Sequence, residues 1–365
     1  MKLKRLFPCL FICMSLFSCI QDEAPNAEAD ITAFSVTGAG DGVLDVDIEN
    51  DKIVVWASPN LELSGLAPEF TLTAGATISP ASGTVLDFSE PQYYEVTSED
   101  RKWKKKYEVS FLTADIPTEF SFEHYFIKEK TNYETFYEED AVGKTLMSWA
   151  SGNPGFAITG QGTDKSVYPT LSSPDGYKGN CAKLVTRSTG FFGAAVGMPI
   201  AAGNLFLGVF DVKNALTDAL KATQMGFPFG YRPVTLRGYY KYKSGEVYKE
   251  NGTTVSGKKD ACDIYAFFYE TDENLKRVDG TNKFTHPNVV SIARISGQKE
   301  TEDKWVEFNI PFEMVPGKTI DPEKLKNKKY NLGIVFSSSI DGDHFNGAVG
   351  STLLIDEVKL ECAVN

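Results

Sequence analysis

The stretch Trp103-Lys104-Lys105-Lys106-Tyr107-Glu108-Val109-Ser110-Phe111 sets the fold class. Trp103, Tyr107, Val109 and Phe111 lie on one side, while Lys104, Lys106 and Glu108 face water. That two-residue period is a half-buried β-strand. Working outward, Ser98-Glu99-Asp100-Arg101 is a turn that joins it to a strand at Tyr93 to Thr97. Upstream, Ile78 to Gly83 is a strand end and turn, and Phe70 to Thr73 and Lys52 to Trp56 are further strands. Val43, Asp45 and Asp47 alternate against Leu44, Val46 and Ile48, again the period of a half-buried strand. About seven strands in some eighty residues is the size of an immunoglobulin-like β-sandwich. It spans residues 31–113, and Ala114 to Thr118 reads as a linker.

About 335 residues follow residue 30, more than one core usually holds, so a second domain is expected at residues 119–362. It is again mostly strand: Cys181 to Thr186, Leu205 to Phe210, Val234 to Lys243, Ile264 to Glu270, Val289 to Ile295, Trp305 to Pro311, Asn331 to Ser337 and Thr352 to Leu360. Asn214 to Thr223 carries Ala215, Leu216, Ala219 and Leu220 at helical spacing, with Gly226 beyond it. Many strands without alternating helices predict an all-β chain whose second domain is an antiparallel jelly-roll β-sandwich.

The N-terminus reads as an export signal. Lys2, Lys4 and Arg5 precede an uncharged apolar run, Leu6 to Phe17, too short to span a bilayer. Leu16-Phe17-Ser18-Cys19 resembles a bacterial lipobox, which implies a signal peptide at residues 1–18, lipidation of Cys19 and a tether at residues 19–30. Gln21-Asp22-Glu23 resembles the acidic tag that directs lipoproteins of glycan-harvesting bacteria to the outer surface. The expected address is the outer membrane, cell-surface exposed, with the membrane reached through the N-terminal lipid only. A formal charge of -12 argues against a nucleic-acid partner, which needs a basic stripe. Cys181, Cys262 and Cys362 are far apart and form no metal-binding spacing. Sequence leaves their pairing open.

Two resemblances add to this reading. Ala76 to Ser110, ATISPASGTVLDFSEPQYYEVTSEDRKWKKKYEVS, resembles the small immunoglobulin-like spacer of surface lipoproteins in glycan-degrading bacteria. Trp149 to Gly155, Tyr177 to Thr186, Ala201 to Gly208, Gly226 to Phe229, Arg232-Pro233, Gly238 to Tyr242, Asp263 to Ala266, Val335 to Ser339, Asp341 to Asp343 and Gly350 to Val358 together resemble the putative carbohydrate metabolism domain family. That resemblance implies a carbohydrate-binding-module-like jelly roll. Phe122-Glu123 and Ile355-Asp356-Glu357-Val358 resemble the opening and closing strands of such modules. Pairing of those strands brings Glu123 and Asp356 together as candidate ligands of a structural calcium, against the alternative that each carboxylate accepts backbone N–H bonds.

No catalytic signature is present: no H-E-x-x-H, G-x-S-x-G, Walker loop or dinucleotide fingerprint, and only His124, His286 and His344 as histidines. Asp341, Asp343 and Glu357 are the best carboxylates for glycoside hydrolysis, which needs an acid and a base or nucleophile. Asp341-Gly342-Asp343 reads first as turn chemistry. Glu138-Glu139-Asp140 reads as a solvated loop. Glycan binding needs aromatic faces for sugar rings and polar groups for their hydroxyls. The candidates are Trp149 with Asn153, Tyr231 with Arg232, and Tyr240 and Tyr242 on one strand face, with Tyr239, Lys241 and Arg237 on the other. Trp305 is assigned to the core. The leading reading is a non-catalytic glycan-binding surface lipoprotein that needs no cofactor. A carbohydrate-active enzyme and a fimbria-like structural or adhesion protein in a surface complex are the rivals.

Overall fold

The computed structural model describes residues 25–39, 42–58, 61–113, 115–128, 131–297 and 300–363. The signal peptide, Cys19 and the acidic tag fall outside the described residues. No helix among those described is long and apolar enough to cross a membrane.

The chain is all-β. The first domain is a sandwich of a five-stranded and a three-stranded sheet. Val43–Ile48, Lys52–Ala57, Lys104–Leu112, Gln92–Thr97 and Thr77–Ser79 make the larger; Ile31–Thr37, Ser64–Leu72 and Leu86–Asp87 make the smaller. Lys52–Ala57 runs parallel to Lys104–Leu112. Tyr107, Val109 and Phe111 point into the core, as their spacing requires. Trp103 does not: it precedes the strand and is exposed at the turn.

The second domain is a jelly-roll sandwich. One sheet orders Thr170–Ser173, Cys181–Val185, Thr352–Cys362, Pro233–Lys243 and Val306–Pro311, all antiparallel. Glu119–Phe120 pairs with Thr352–Cys362, so opening and closing strands are neighbours. The facing sheet orders Asn204–Phe206, Tyr330–Ser337, Asp263–Glu270, Val289–Arg294 and Glu313–Met314. Leu236, Tyr240, Leu353 and Ile355 of the first sheet pack against Ile264, Ala266, Leu332 and Ile334 of the second. The second sheet also buries its outer face: Phe206, Tyr265, Phe267 and Tyr269 lie beneath Met225, Val278 and Phe284. The helix expected at 214–223 shrinks to Ala219–Ala222, because Asp218, at φ −152° and ψ 78°, leaves the helical range and separates the preceding turn from it.

The two domains are locked together through the strand Val43–Ile48. Its alternation is real, but the aspartate side is the buried one. Asp45 is 4% and Asp47 6% exposed, because Arg277 of the second domain reaches both. The Arg277 Nη1 to Asp47 Oδ1 distance is 2.6 Å, and Nε donates to the Gly226 carbonyl at 3.1 Å. Beside them Trp56 packs on Phe227, ring centroids 4.4 Å apart. Burial pushes the Asp47 carboxyl up to about 6, against the pull of Arg277.

Candidate functional site

Four of the six residues proposed for glycan stacking are interior. Trp149 is buried and donates through Nε1 to Glu138 at 3.0 Å. Asn153 is buried and bridges backbone, donating to the Thr170 carbonyl and accepting from its N–H. Tyr240 and Tyr242 face the core between the sheets. A buried ring offers no face to a sugar, so these four are removed from the site. Tyr231 and Arg232 are exposed, but Tyr231 donates to Asp115 of the linker, at 3.2 Å. Glu138 is likewise not solvated: it is buried in the strand Glu134–Glu139, and burial raises its carboxyl to about 7.

The solvent-facing aromatic group lies on the other face of the same strand. Tyr239 points outward from Pro233–Lys243, and Tyr177 stacks on it with centroids 3.7 Å apart and planes 6° from parallel. Trp305 stands edge-on to Tyr177 at 6.3 Å, and Lys241 Nζ lies 5.4 Å from the Trp305 ring. Tyr177 is 49% exposed; Tyr239 and Trp305 are half-buried, so Trp305 is not a core residue. Among the described residues Lys241 has one anion partner, Asp303 at 3.5 Å on a solvated side chain. A flat aromatic surface with a cation at its rim suits a sugar ring and its polar edge.

Tyr177 reaches this position because the loop that carries it is held from below. Asp356 accepts from the Lys178 N–H at 2.9 Å and the Glu357 N–H at 2.8 Å. Glu123 accepts from the Asn180 N–H at 3.0 Å and the Asn180 Nδ2 at 3.0 Å. Gly179 makes this grip possible: its φ is +69°, and a Cβ there would lie 2.0 Å from Glu123 Oε1. A bulge opposite Gly238 re-aims the closing strand, with Glu357 at φ +48°. Burial raises Asp356 to about 6, while the Lys178 and Glu357 N–H groups pull it down.

The proposed calcium pair is therefore a pair of loop anchors. Among the described residues the donors to both carboxylates are N–H groups, the wrong polarity for a cation. Among the described residues no group of three or more His, Cys, Asp or Glu side chains is assembled for a metal. Among the described residues, Cys181, Cys262 and Cys362 form no disulfide with one another.

Asp341 precedes and Asp343 lies within a single 3-10 turn, Gly342–His344; the turn is there, but the Asp341 side chain makes no capping bond to it. Asp341 accepts from the Tyr248 hydroxyl at 3.0 Å. Asp343 pairs with Lys283 at 2.5 Å and His344 at 2.9 Å. Burial lifts Asp343, but the Lys283 charge and the hydrogen bonds from Lys283 and His344 outweigh it and leave the carboxyl below its ordinary value. A general acid needs the opposite shift. Near Asp343 a cavity of about 150 Å³ opens over the outer face of the second sheet. Asp263, at its wall, holds Arg294 through two bonds of 3.1 and 2.7 Å.

The alternation of Pro233–Lys243 separates the two faces correctly, and the signal for Tyr239 and Lys241 is there. What periodicity does not tell is which face is wet. Tyr177 sits in a loop, where no period marks it.

Comparison with known proteins gives two family matches. Residues 121–361 match the putative carbohydrate metabolism domain, and residues 31–111 match SGBP, N-terminal. A crystal structure described as a putative glycoside hydrolase from Bacteroides thetaiotaomicron is 52% identical, with a TM-score of 0.89 over 94% of this chain and 100% of that chain. Another, described in the same words, from Bacteroides vulgatus, is 47% identical, with a TM-score of 0.64 over 68% of this chain and 99% of that chain. A search of curated proteins found no match. With its second domain matched almost from end to end, the chain belongs to the putative carbohydrate metabolism domain family.

Proposed function

We propose that this chain is a non-catalytic glycan-binding lipoprotein of the cell surface. The immunoglobulin-like domain is the spacer, residues 31–113, and the jelly roll, residues 119–362, carries the ligand. The observation that carries the reading is the exposed stack of Tyr177 on Tyr239, flanked by Trp305 and Lys241. The match of residues 31–111 to the N-terminal domain of surface glycan-binding proteins supports the address. Lipidation at Cys19 and the outer-membrane location rest on the export signal. The paired states of Asp343 and Asp263 weigh against a hydrolase, the word attached to its relatives.

Affinity electrophoresis against a panel of plant and host polysaccharides tests this. Retardation without released reducing sugar is expected. Tyr177→Ala with Trp305→Ala should weaken retention at least tenfold, since stacked rings contribute about 0.5–1.5 kcal/mol each beyond their area. Failure to bind any glycan would overturn the proposal. Reducing sugar released by the chain and lost in Asp343→Asn would replace it with an enzyme.

A further inference from the structure

The cavity over the outer face of the second sheet is separate from the aromatic stack, and its chemistry differs. Its volume is about 150 Å³. Phe192, Met198, Phe206, Phe210 and Leu220 line it, so most of its wall is apolar. Native interiors rarely leave voids much larger than a water molecule, and an apolar void of this size takes a six-membered ring.

The polar end restricts the ligand further. Asp263 is matched by Arg294, and Asp343 by Lys283. Two carboxylates face two cations, so the corner is neutral by itself. A charged ligand entering it would have to break one of these pairs and leave the remaining partner uncompensated in a poorly solvated place. A pyranose fits less well: Thr189, Asn204, Ser337 and Ser339 in the wall are already bonded within the protein, and most of the remaining wall that its hydroxyls would meet is apolar.

The rim is apolar too. The short helix Gly190–Ala195 places Phe192 in the lining, Val196 follows it there, and both are exposed, as is Leu216, which also lines the cavity. Isolated exposed apolar residues are ordinary, but a cluster at the mouth of an apolar cavity marks a binding site.

We propose that this cavity binds a neutral, ring-sized apolar group carrying at most a hydroxyl, such as an aryl substituent or aglycone. The site does not depend on the glycan stack, and the two can fail separately.

Saturation-transfer NMR and thermal melts of the full chain with toluene and phenol test it, with glucose and benzoate as polar and charged controls. Toluene and phenol should show transfer and, at ten times their Kd, raise Tm by about 2–3 °C. The controls should do neither. Ala219→Phe places a ring in the cavity and should abolish both signals. A second variant, Leu220→Ala, enlarges the cavity and should bind toluene with altered affinity; circular dichroism checks that both are folded. Polysaccharide retention should be unchanged in either variant. Absence of transfer and of a Tm shift with both probes would overturn the proposal, as would equal signals in wild type and folded Ala219→Phe.

Discussion

Arg277→Met should uncouple the two domains at a cost that depends on pH. The guanidinium is 7% exposed and serves Asp45 and Asp47, themselves almost fully buried. Methionine fills similar space without the charge, so two carboxylates lose their main counter-ion. Lys276, 3.8 Å from Asp45 on an exposed side chain, is a weak substitute. Breaking a buried pair from one side costs about 3–5 kcal/mol. Protonation limits that cost. Taking a carboxylic acid of ordinary pKa near 3.9 to its neutral form costs about 5 kcal/mol at pH 7.5 but only about 1.5 at pH 5. The variant's folded state then binds more protons than its unfolded state, so its stability rises as pH falls. Urea denaturation should show a loss of about 3–5 kcal/mol at pH 7.5, shrinking to about 2 at pH 5. Adding Asp45→Asn and Asp47→Asn to Arg277→Met should recover part of the loss at pH 7.5. A loss below about 1 kcal/mol at both pH values, or no recovery in the triple variant, would refute the reasoning.

Other outcomes follow from the same contacts. Asp356→Asn removes an acceptor from the Lys178 or Glu357 N–H; faster hydrogen exchange at residues 177–180 and several-fold weaker glycan binding are expected, with little change in Tm. A chelator should leave the melting temperature unchanged, because the Glu123 and Asp356 oxygens face N–H donors rather than a cation. Gly179→Ala should reproduce the loss of binding, since its Cβ collides with Glu123 and its φ is strained; titration against a bound polysaccharide reads this directly. Glu138 is raised from 4.5 to about 7 by burial, so its folded form holds a proton that the unfolded chain has released. Its contribution is greatest below pH 4.5 and is lost as pH rises to 7. Glu138→Gln keeps an acceptor for Trp149 and should flatten that slope, gaining on the order of 2–3 kcal/mol above pH 7 in a melt series.

Strand periodicity makes the architecture legible in the sequence. Tyr107, Val109 and Phe111 point inward as their spacing demands, and the opening and closing strands of the jelly roll pair as expected. Errors came where a second element decided the environment. Asp45 and Asp47 look like a wet face until Arg277, some 230 residues away, covers them. Trp149 looks like a binding residue until Glu138 is buried against it. In Pro233–Lys243 the period offered two aromatic faces, and only the facing sheet settles that Tyr240 and Tyr242 go inside. Turn chemistry at Asp341-Gly342-Asp343 was readable because it is local.

The anchoring of the Tyr177 loop has an evolutionary consequence. Two carboxylates on the framework grip backbone N–H groups, which every residue except proline possesses, so the grip is indifferent to most of the side chains it displays. Gly179 is sterically fixed by it, Gly176 is closed in by the Gly179 and Asn180 backbone, and Asn180 adds a side-chain bond to Glu123. Tyr177 and Lys178 between them can vary while the sheet below stays untouched, which makes this short segment an exchangeable display loop. Under the proposed glycan-binding function, a change at Tyr177 or Lys178 would alter recognition without rebuilding the fold.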